Sequence, residues 1–283
     1  MTKTPRVTVV TVTYASAGTV IGFLESCPAD LPVLVVDNAS PDETLAVVRA
    51  VRPATEMIAN ARNLGFGAAC NLGLDGVRTE FALLANPDAR LTEAAVAALV
   101  AAAEAHPGHR LVAPLLMDGE GRPIRSWNVA QPRRGLLPRN RDAEPWPEGP
   151  TCVAFASGAC LLLRPADGLR FDEGFFLFYE DDDLCARAGG ALLEPAARVF
   201  HAGGRSSPPS LATTWRKARC MAWSRLRFAA LHGSLDAARR DGRRRVAHHL
   251  GKALGHALTV RPRKAVADLA GLAGTLAWLR GRR

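Results

Sequence analysis

The sequence predicts an α/β protein: a Rossmann-like, mostly parallel central sheet followed by a basic helical C-terminal extension. Three observations carry that reading. Apolar, β-branched runs alternate with helical stretches from residue 6 to residue 106, at the spacing of successive strand–helix units. Polar clusters ("TVTYAS", "VVDNAS" and "LLANPDA") stand at the ends of successive strand-like runs. The charge is also uneven. Residues 213–283 hold 17 Lys or Arg against 3 Asp or Glu, a net of +14, whereas residues 1–212 hold 19 against 24, a net of −5. The domain division expected is therefore 1–212 for a catalytic-looking body and 213–283 for a basic amphipathic helical region.

Each element follows from local pattern. "RVTVVTVTY" (6–14) is nearly continuous in apolar character and reads as a strand buried on both faces. A helix is expected over 17–27, a strand over 32–38, a helix over 42–51 opening on "SPDE", and a short strand at 55–59. Residues 66–77 suit a helix, 80–86 a strand and 92–106 a long helix. Regularity then stops. The Pro-, Arg- and Asn-rich stretch 128–150 reads as a loop, and "TCVAFASGACLLLRP" (151–165) restores strand character with a Gly at its bend. Helix resumes at about 181–189, and two or three basic amphipathic helices follow 213.

Composition narrows the class. About half of the 283 residues are apolar, enough for a substantial core. The longest apolar stretch near the end, "LAGLAGTLAWL" (269–279), is too short to span a bilayer. "MTKTPRVTVVTVTY" lacks a signal peptide's apolar block, so a cytoplasmic protein is expected. Six scattered cysteines with no CxxC pair read as reduced thiols rather than disulfides or a zinc site.

Ligands of open parallel α/β sheets collect at the carboxyl ends of the strands, so Tyr14, Asp37 and Asp88 should converge on one crevice. Taken singly, "DNAS" and "NPDA" are equally good turns and helix caps. No G-x-G-x-x-G follows the first strand, and no G-x-x-x-x-G-K-[ST] loop occurs. Phosphates bound here need another neutralising agent, and a divalent cation held by Asp88 and later residues would supply one. The other unusual stretch is "FDEGFFLFYEDDDLCAR" (171–187). Four adjacent carboxylates after an apolar run require open water, a bound cation, or chemistry that uses concentrated negative charge.

These stretches, with "ARNLGFGAACNLGL", "SGACLLLRP" and "VFHAGG", resemble in order and spacing the family 2 glycosyltransferases, most closely the rhamnosyltransferase-like branch of bacterial polysaccharide and cell-wall synthesis. The resemblance covers roughly residues 6–232. It implies a GT-A fold and inverting, metal-dependent transfer of a sugar, such as rhamnose or another deoxyhexose, from a nucleoside-diphosphate donor. The acceptor it implies is a glycan or polyprenyl-linked molecule, and the cofactor Mg²⁺ or Mn²⁺.

Carried onto this sequence, the resemblance places Thr13, Tyr14, Asp37, Arg62, Asn63 and Asn86 in donor binding, with Asn71 supporting the "ARNLGFG" loop. "NPD" takes the place of an aspartate-x-aspartate motif, making Asp88 the metal ligand, and His201 resembles a late histidine that reaches metal or diphosphate. The family's E-D-x-D pattern aligns with Glu180, Asp181 and Asp183 and leaves Asp182 variable. Asp181 is then the base that takes the acceptor hydroxyl's proton, Glu180 binds the acceptor or orients that base, Tyr179 binds the acceptor, and Asp183 caps the following helix and pairs with Arg187. A solvated acidic first helical turn is the simpler account, and it suits Asp182 and Asp183 better than Asp181. Two departures stand out: Ala15 occupies a position where the family usually has Asn, and "NPD" lacks the first carboxylate of a full pair.

The basic tail interleaves arginines with Trp215, Trp223, Phe228 and Trp278. Amphipathic attachment to an anionic membrane, at the inner face of the plasma membrane, is the favoured reading of 213–283 over a merely solvated surface. No nucleic-acid motif accompanies its charge, so no nucleic acid is expected. Two rival functions are a sugar nucleotidyltransferase, which lacks here its Gly-rich, Lys-containing loop, and a non-catalytic glycan- or nucleic-acid-binding protein that keeps the fold.

Overall fold

The computed structural model describes residues 5–130, 144–202 and 210–282. Part of the expected loop at 128–150 (residues 131–143) lies outside them. The chain divides into two compact units. One holds the described residues through Phe171 and those from Asp181 through Ala202; the other holds Asp172–Glu180 and the described residues from Ser210 onward.

The first unit opens as the alternation predicts: β1 (Val7–Thr13), α1 (Ala17–Ser26), β2 (Val33–Asp37), α2 (Thr44–Val51), β3 (Glu56–Ala59), α3 (Phe66–Gly76) and β4 (Phe81–Ala85). A short β5 (Ala89–Arg90) and α4 (Glu93–Ala105) follow, the latter capped by Thr92, whose side chain accepts from the Ala95 amide. Next come β6 (Leu111–Met117), β7 (Trp127–Asn128), β8 (Thr151–Val153), β9 (Phe155–Ala156), β10 (Cys160–Leu163), α5 (Glu180–Ala188) and β11 (Ala191–His201).

The main sheet runs β3-β2-β1-β4-β10-β6-β11-β5, with β8 also paired to β11. Its first four strands are parallel, β10 is antiparallel to both β4 and β6, and β11 is parallel to β6. The continuous apolar runs arise because alternate residues enter opposite cores. Val9, Val35 and Leu83 pack among Phe23, Val48 and Leu99 of α1, α2 and α4. Val10, Leu34 and Leu84 pack among Cys70, Leu74, Leu184 and Cys185 of α3 and α5. Gly73 permits the close fit of α3, since a Cβ there would lie 2.4 Å from Val10 Cγ1.

Three strands lie where no regular element was expected after residue 106: β6, the short β7 and the long β11. Strand β11 carries a register shift between Glu194 and Arg198, which re-aims its last residues. The acidic cluster also departs from the solvated account. Asp182 is 0 % exposed and Asp183 is 2 % exposed, while Asp181 is the partly accessible one. Because α5 already begins at Glu180, Asp183 lies inside the helix rather than capping it. Its carboxylate does accept from Arg187 Nε at 2.8 Å, the expected i,i+4 pair, which compensates its burial.

The second unit is helical: α6 (Leu211–Leu231), α7 (Leu235–Leu258) and α8 (Pro262–Leu279). Ser210 and Ser234 cap α6 and α7 by accepting from the amides of Thr213 and Ala237. Leu226, Ala270 and Thr275 are fully buried, and Gly274 lets α8 approach α6 so closely that a Cβ would collide with the Arg219 carbonyl. The aromatic segment Asp172–Glu180 packs on α6. Arg227 Nη2 pairs with Asp172 Oδ2 at 2.6 Å, Ser224 Oγ donates to the Leu177 carbonyl at 2.9 Å, and the Tyr179 and Phe228 rings lie 5.6 Å apart. Among the described residues, no helix is long and apolar enough to cross a membrane.

Candidate active site at the carboxyl edge of the sheet

The ends of β1 and β2 are tied together by one carboxylate. Asp37, 2 % exposed, accepts at Oδ1 from Thr13 Oγ1 (2.8 Å) and Ser40 Oγ (2.5 Å), and at Oδ2 from the Ser40 amide (2.9 Å). Ser40 Oγ in turn accepts from the Ala15 amide at 3.0 Å, so the turn after β1 rests on the turn after β2. Tyr14, half-buried, donates its amide to Ser16 Oγ at 3.2 Å.

The segment carrying Arg62 and Asn63 is fixed by a residue to which no role was given from sequence, Asn38. Its Nδ2 donates to the Gly65 carbonyl at 3.0 Å, and its Oδ1 accepts from the Leu64 amide (3.0 Å) and Asn60 Nδ2 (3.1 Å). Asn63 Oδ1 accepts from the Gly65 amide at 3.0 Å, leaving Arg62 on the exposed side of the turn. Asn71 clamps Phe171 by donating Nδ2 to its carbonyl and accepting its amide at Oδ1, at 3.0 and 2.9 Å. The sequence signal for Asn38 was available: an amide directly after a strand-end Asp is suited to bridging two loops.

Beyond β4 the chain places Asn86 and Asp88 beside His201 at the end of β11. His201 Nε2 lies 3.3 Å from Asn86 Nδ2 and 3.3 Å from Asp88 Oδ1. One ring nitrogen cannot serve both neighbours. If it accepts from the Asn86 amide, its lone pair also faces a carboxylate; if it donates to Asp88, a donor faces Asn86. Asp88 is 2 % exposed, and neither of its oxygens accepts a hydrogen bond. An orphaned buried carboxylate beside an imidazole nitrogen is a donor set that fits a divalent cation. Among the described residues, no group of three or more His, Cys, Asp and Glu converges as a metal cluster.

Asp181 stands on the same edge. Strand β10 pairs Cys160 with Ala85, the Asn86 amide donates to the Ala159 carbonyl at 2.9 Å, and the neighbouring Gly158 amide donates to Asp181 Oδ2 at 3.1 Å. Asp181 Oδ1 accepts from the Asp182 amide at 3.1 Å. Two backbone donors thus aim a partly accessible carboxylate one residue away from the point where Asn86 is anchored. Tyr179 and Glu180, both buried, belong to the helical unit.

The family model described as Glycosyl transferase family 2 matches residues 8–164, more than half of the chain. The N-acetylglucosaminyl-diphospho-decaprenol L-rhamnosyltransferase of Mycobacterium tuberculosis (strain ATCC 25618 / H37Rv) is 27% identical over 239 residues, covering 68% of this chain and 75% of that protein. Among solved structures, the mannosyltransferase PcManGT from Pyrobaculum calidifontis, in complex with GDP-Man and Mn²⁺, aligns with a TM-score of 0.57 at 18% identity. That alignment covers 100% of this chain and 89% of that one. S. aureus TarS aligns with a TM-score of 0.54 at 17% identity over 77% of this chain, which spans only 39% of that longer protein. The sheet and helices described above are those of a GT-A glycosyltransferase.

Proposed function

The chain belongs to glycosyl transferase family 2, and from that premise we propose that it is an inverting, cation-assisted transferase moving a deoxyhexose such as rhamnose from a nucleoside diphosphate to a lipid-linked glycan acceptor. The observation that carries the reading is the pairing, along one sheet edge, of an orphaned Asp88 with a backbone-aimed Asp181. Thr13, Tyr14, Arg62, Asn63 and Asn86 hold the donor, with Asp37 as the rigid base of that pocket. Asp88 and His201 would hold a divalent cation, Mg²⁺ or Mn²⁺, which would supply positive charge for the diphosphate.

In the step itself the acceptor hydroxyl oxygen attacks the anomeric carbon from the face opposite the diphosphate. The new carbon–oxygen bond forms as the bond to the diphosphate breaks, and the electron pair leaves with the nucleoside diphosphate. Asp181 takes the hydroxyl proton, and the configuration at the anomeric carbon inverts. Glu180 and Tyr179, directly before it in the chain, are assigned to the acceptor. The similarity to a protein named for a decaprenol-linked substrate supports a lipid-linked acceptor and a place in cell-wall or polysaccharide synthesis.

Exposed leucines favour peripheral attachment of the basic helices to an anionic membrane. Leu250, Leu254 and Leu258 form an i,i+4 stripe on α7, and each is more than half exposed. Leu254→Glu together with Leu258→Glu is expected to abolish flotation with phosphatidylglycerol vesicles, and unchanged flotation would refute the attachment. For the reaction, Asp181→Asn is expected to lose transfer while keeping nucleotide binding in a thermal-shift panel of sugar nucleotides with Mn²⁺ or Mg²⁺. No turnover by the wild-type chain with any donor would leave only the non-catalytic alternative.

A further inference from the structure

The segment Asp172–Glu180 ends one peptide bond before Asp181, and its last residues are held in a costly conformation. Phe178 and Tyr179 are successive left-handed residues, with φ of 68° and 66°. Glycine or asparagine takes this region readily, but the chain has neither there. For two aromatic residues in a row the region is strained, and it persists only where surrounding contacts impose it.

Those contacts come from one face of α6, where Ser224, Arg227 and Phe228 stand at i, i+3 and i+4. Arg227 Nη2 pairs with Asp172 Oδ2 at 2.6 Å, and its guanidinium lies 5.2 Å from the centroid of the Phe175 ring. A Cβ on Gly174 would collide with that guanidinium, so the glycine is what lets Arg227 lie across the turn. Asp172 Oδ1 also accepts from the Gly174 amide at 2.7 Å, and Phe175 is fully buried. Ser224 is buried too, and its Oγ donates to the Leu177 carbonyl at 2.9 Å, directly before the left-handed pair. The Phe228 ring packs on Tyr179 within the pair. Helix α5 then starts at Glu180, and Asp181 meets the Gly158 amide. Relaxation of either left-handed residue to ordinary helical φ is a rotation of about 130°, which redirects the chain that follows it.

We propose that Ser224 and Arg227 are positioning residues of the transfer reaction. By holding the left-handed turn at Phe178 and Tyr179, they set where Asp181 stands against the Gly158 amide. The inference rests on the reading above that Asp181 is the base.

The test uses the full chain with Ser224→Ala and Arg227→Gln made separately, each checked for helix content and melting temperature. Turnover is read as nucleoside diphosphate released, with Mn²⁺, from the sugar nucleotide that the wild type uses fastest. Each variant is expected to lower kcat by about tenfold to a hundredfold, with KM for the sugar nucleotide within about twofold, as misplacement of a reacting group implies. Exchange of the Gly158 amide, followed by NMR, should quicken by at least about tenfold in both, while that of Leu83 inside β4 stays unchanged. Phe178→Gly added to Arg227→Gln should restore part of the lost turnover, because glycine keeps the left-handed turn without the grip. A merely structural tether predicts no such restoration. The proposal is overturned if both single variants keep wild-type kcat, if Gly158 exchange is unchanged in both, or if Phe178→Gly restores nothing. Asp181→Asn is measured in parallel. Wild-type turnover there refutes Asp181 as the base and this inference with it. An inactive Asp181→Asn beside Ser224 and Arg227 variants of wild-type kcat refutes the positioning role alone.

Discussion

Gly158 and Asp181 are in contact in two ways: the glycine amide donates to Asp181 Oδ2 at 3.1 Å, and a Cβ on Gly158 would lie 3.1 Å from the Asp181 Cβ. The second distance is tighter than ordinary van der Waals contact, so any side chain at 158 pushes the aspartate away from its donor. Gly158→Ala is therefore expected to lower transfer turnover by about tenfold to a hundredfold, the range that follows from a small misplacement of a reacting group. Nucleotide binding should stay within about twofold, because Thr13, Asp37 and the Asn38 network are untouched. A variant with wild-type turnover would show that the position of Asp181 does not govern the rate.

Asp88 sets stability against function. The carboxylate is buried and accepts no hydrogen bond, with His201 Nε2 3.3 Å from Oδ1 as the compensating group, so with a neutral imidazole its charge is costly in the cation-free protein. Asp88→Asn removes that charge with little change of shape. It is expected to raise the cation-free stability by about 1–3 kcal/mol and to abolish the further rise that Mn²⁺ with a nucleoside diphosphate gives the wild type. Calorimetry with and without the pair of ligands checks both parts. A less stable Asp88→Asn protein would mean that Asp88 is satisfied without a cation.

Much of this edge was readable in the chain. The first four parallel strands, their helices and the polar strand ends follow from apolar period and turn residues, which are local signals. Strands β6 and β11 escaped because their identity is set by long-range pairing. "LVAPLLM" contains a proline, and β11 runs through "EPAARV" with its register shift. The acidic cluster was misjudged in part for the same reason. A run of carboxylates reads as solvated, whereas Leu184 and Cys185 on the same helix insert into the core and draw Asp182 and Asp183 inside. Asn38 stood in plain view, but the loop it pins begins some twenty residues later.

The thiols give a prediction with a worked pH dependence. Burial pushes Cys27, Cys160 and Cys185 up to about 12, so their reactive thiolates are scarce at neutral pH and remain so through pH 9. Cys70 and Cys220 are also buried, and Cys152 is the exposed member of the six. A maleimide reagent is expected to modify the native protein once, at Cys152, with Cys152→Ser unlabelled until denatured. Native labelling at Cys160 or Cys185 by peptide mass mapping would mean that the sheet opens on the labelling timescale.

Ala15 offers the remaining prediction, because its departure from the family pattern coincides with a backbone cost. Its φ is 54°, left-handed, and its amide is held by Ser40 Oγ, which Asp37 fixes in turn. Asparagine tolerates this conformation better than alanine, and glycine better still. Ala15→Gly is expected to stabilise the protein by up to about 1 kcal/mol, offset in part by the freer unfolded chain. Ala15→Asn should be neutral to stabilising and also add a polar group beside Tyr14. If that group faces the donor, nucleotide affinity rises in Ala15→Asn and stays unchanged in Ala15→Gly, since only the former adds a hydrogen-bonding side chain. Equal affinities in the two variants would place position 15 outside the donor pocket and confine its role to the turn.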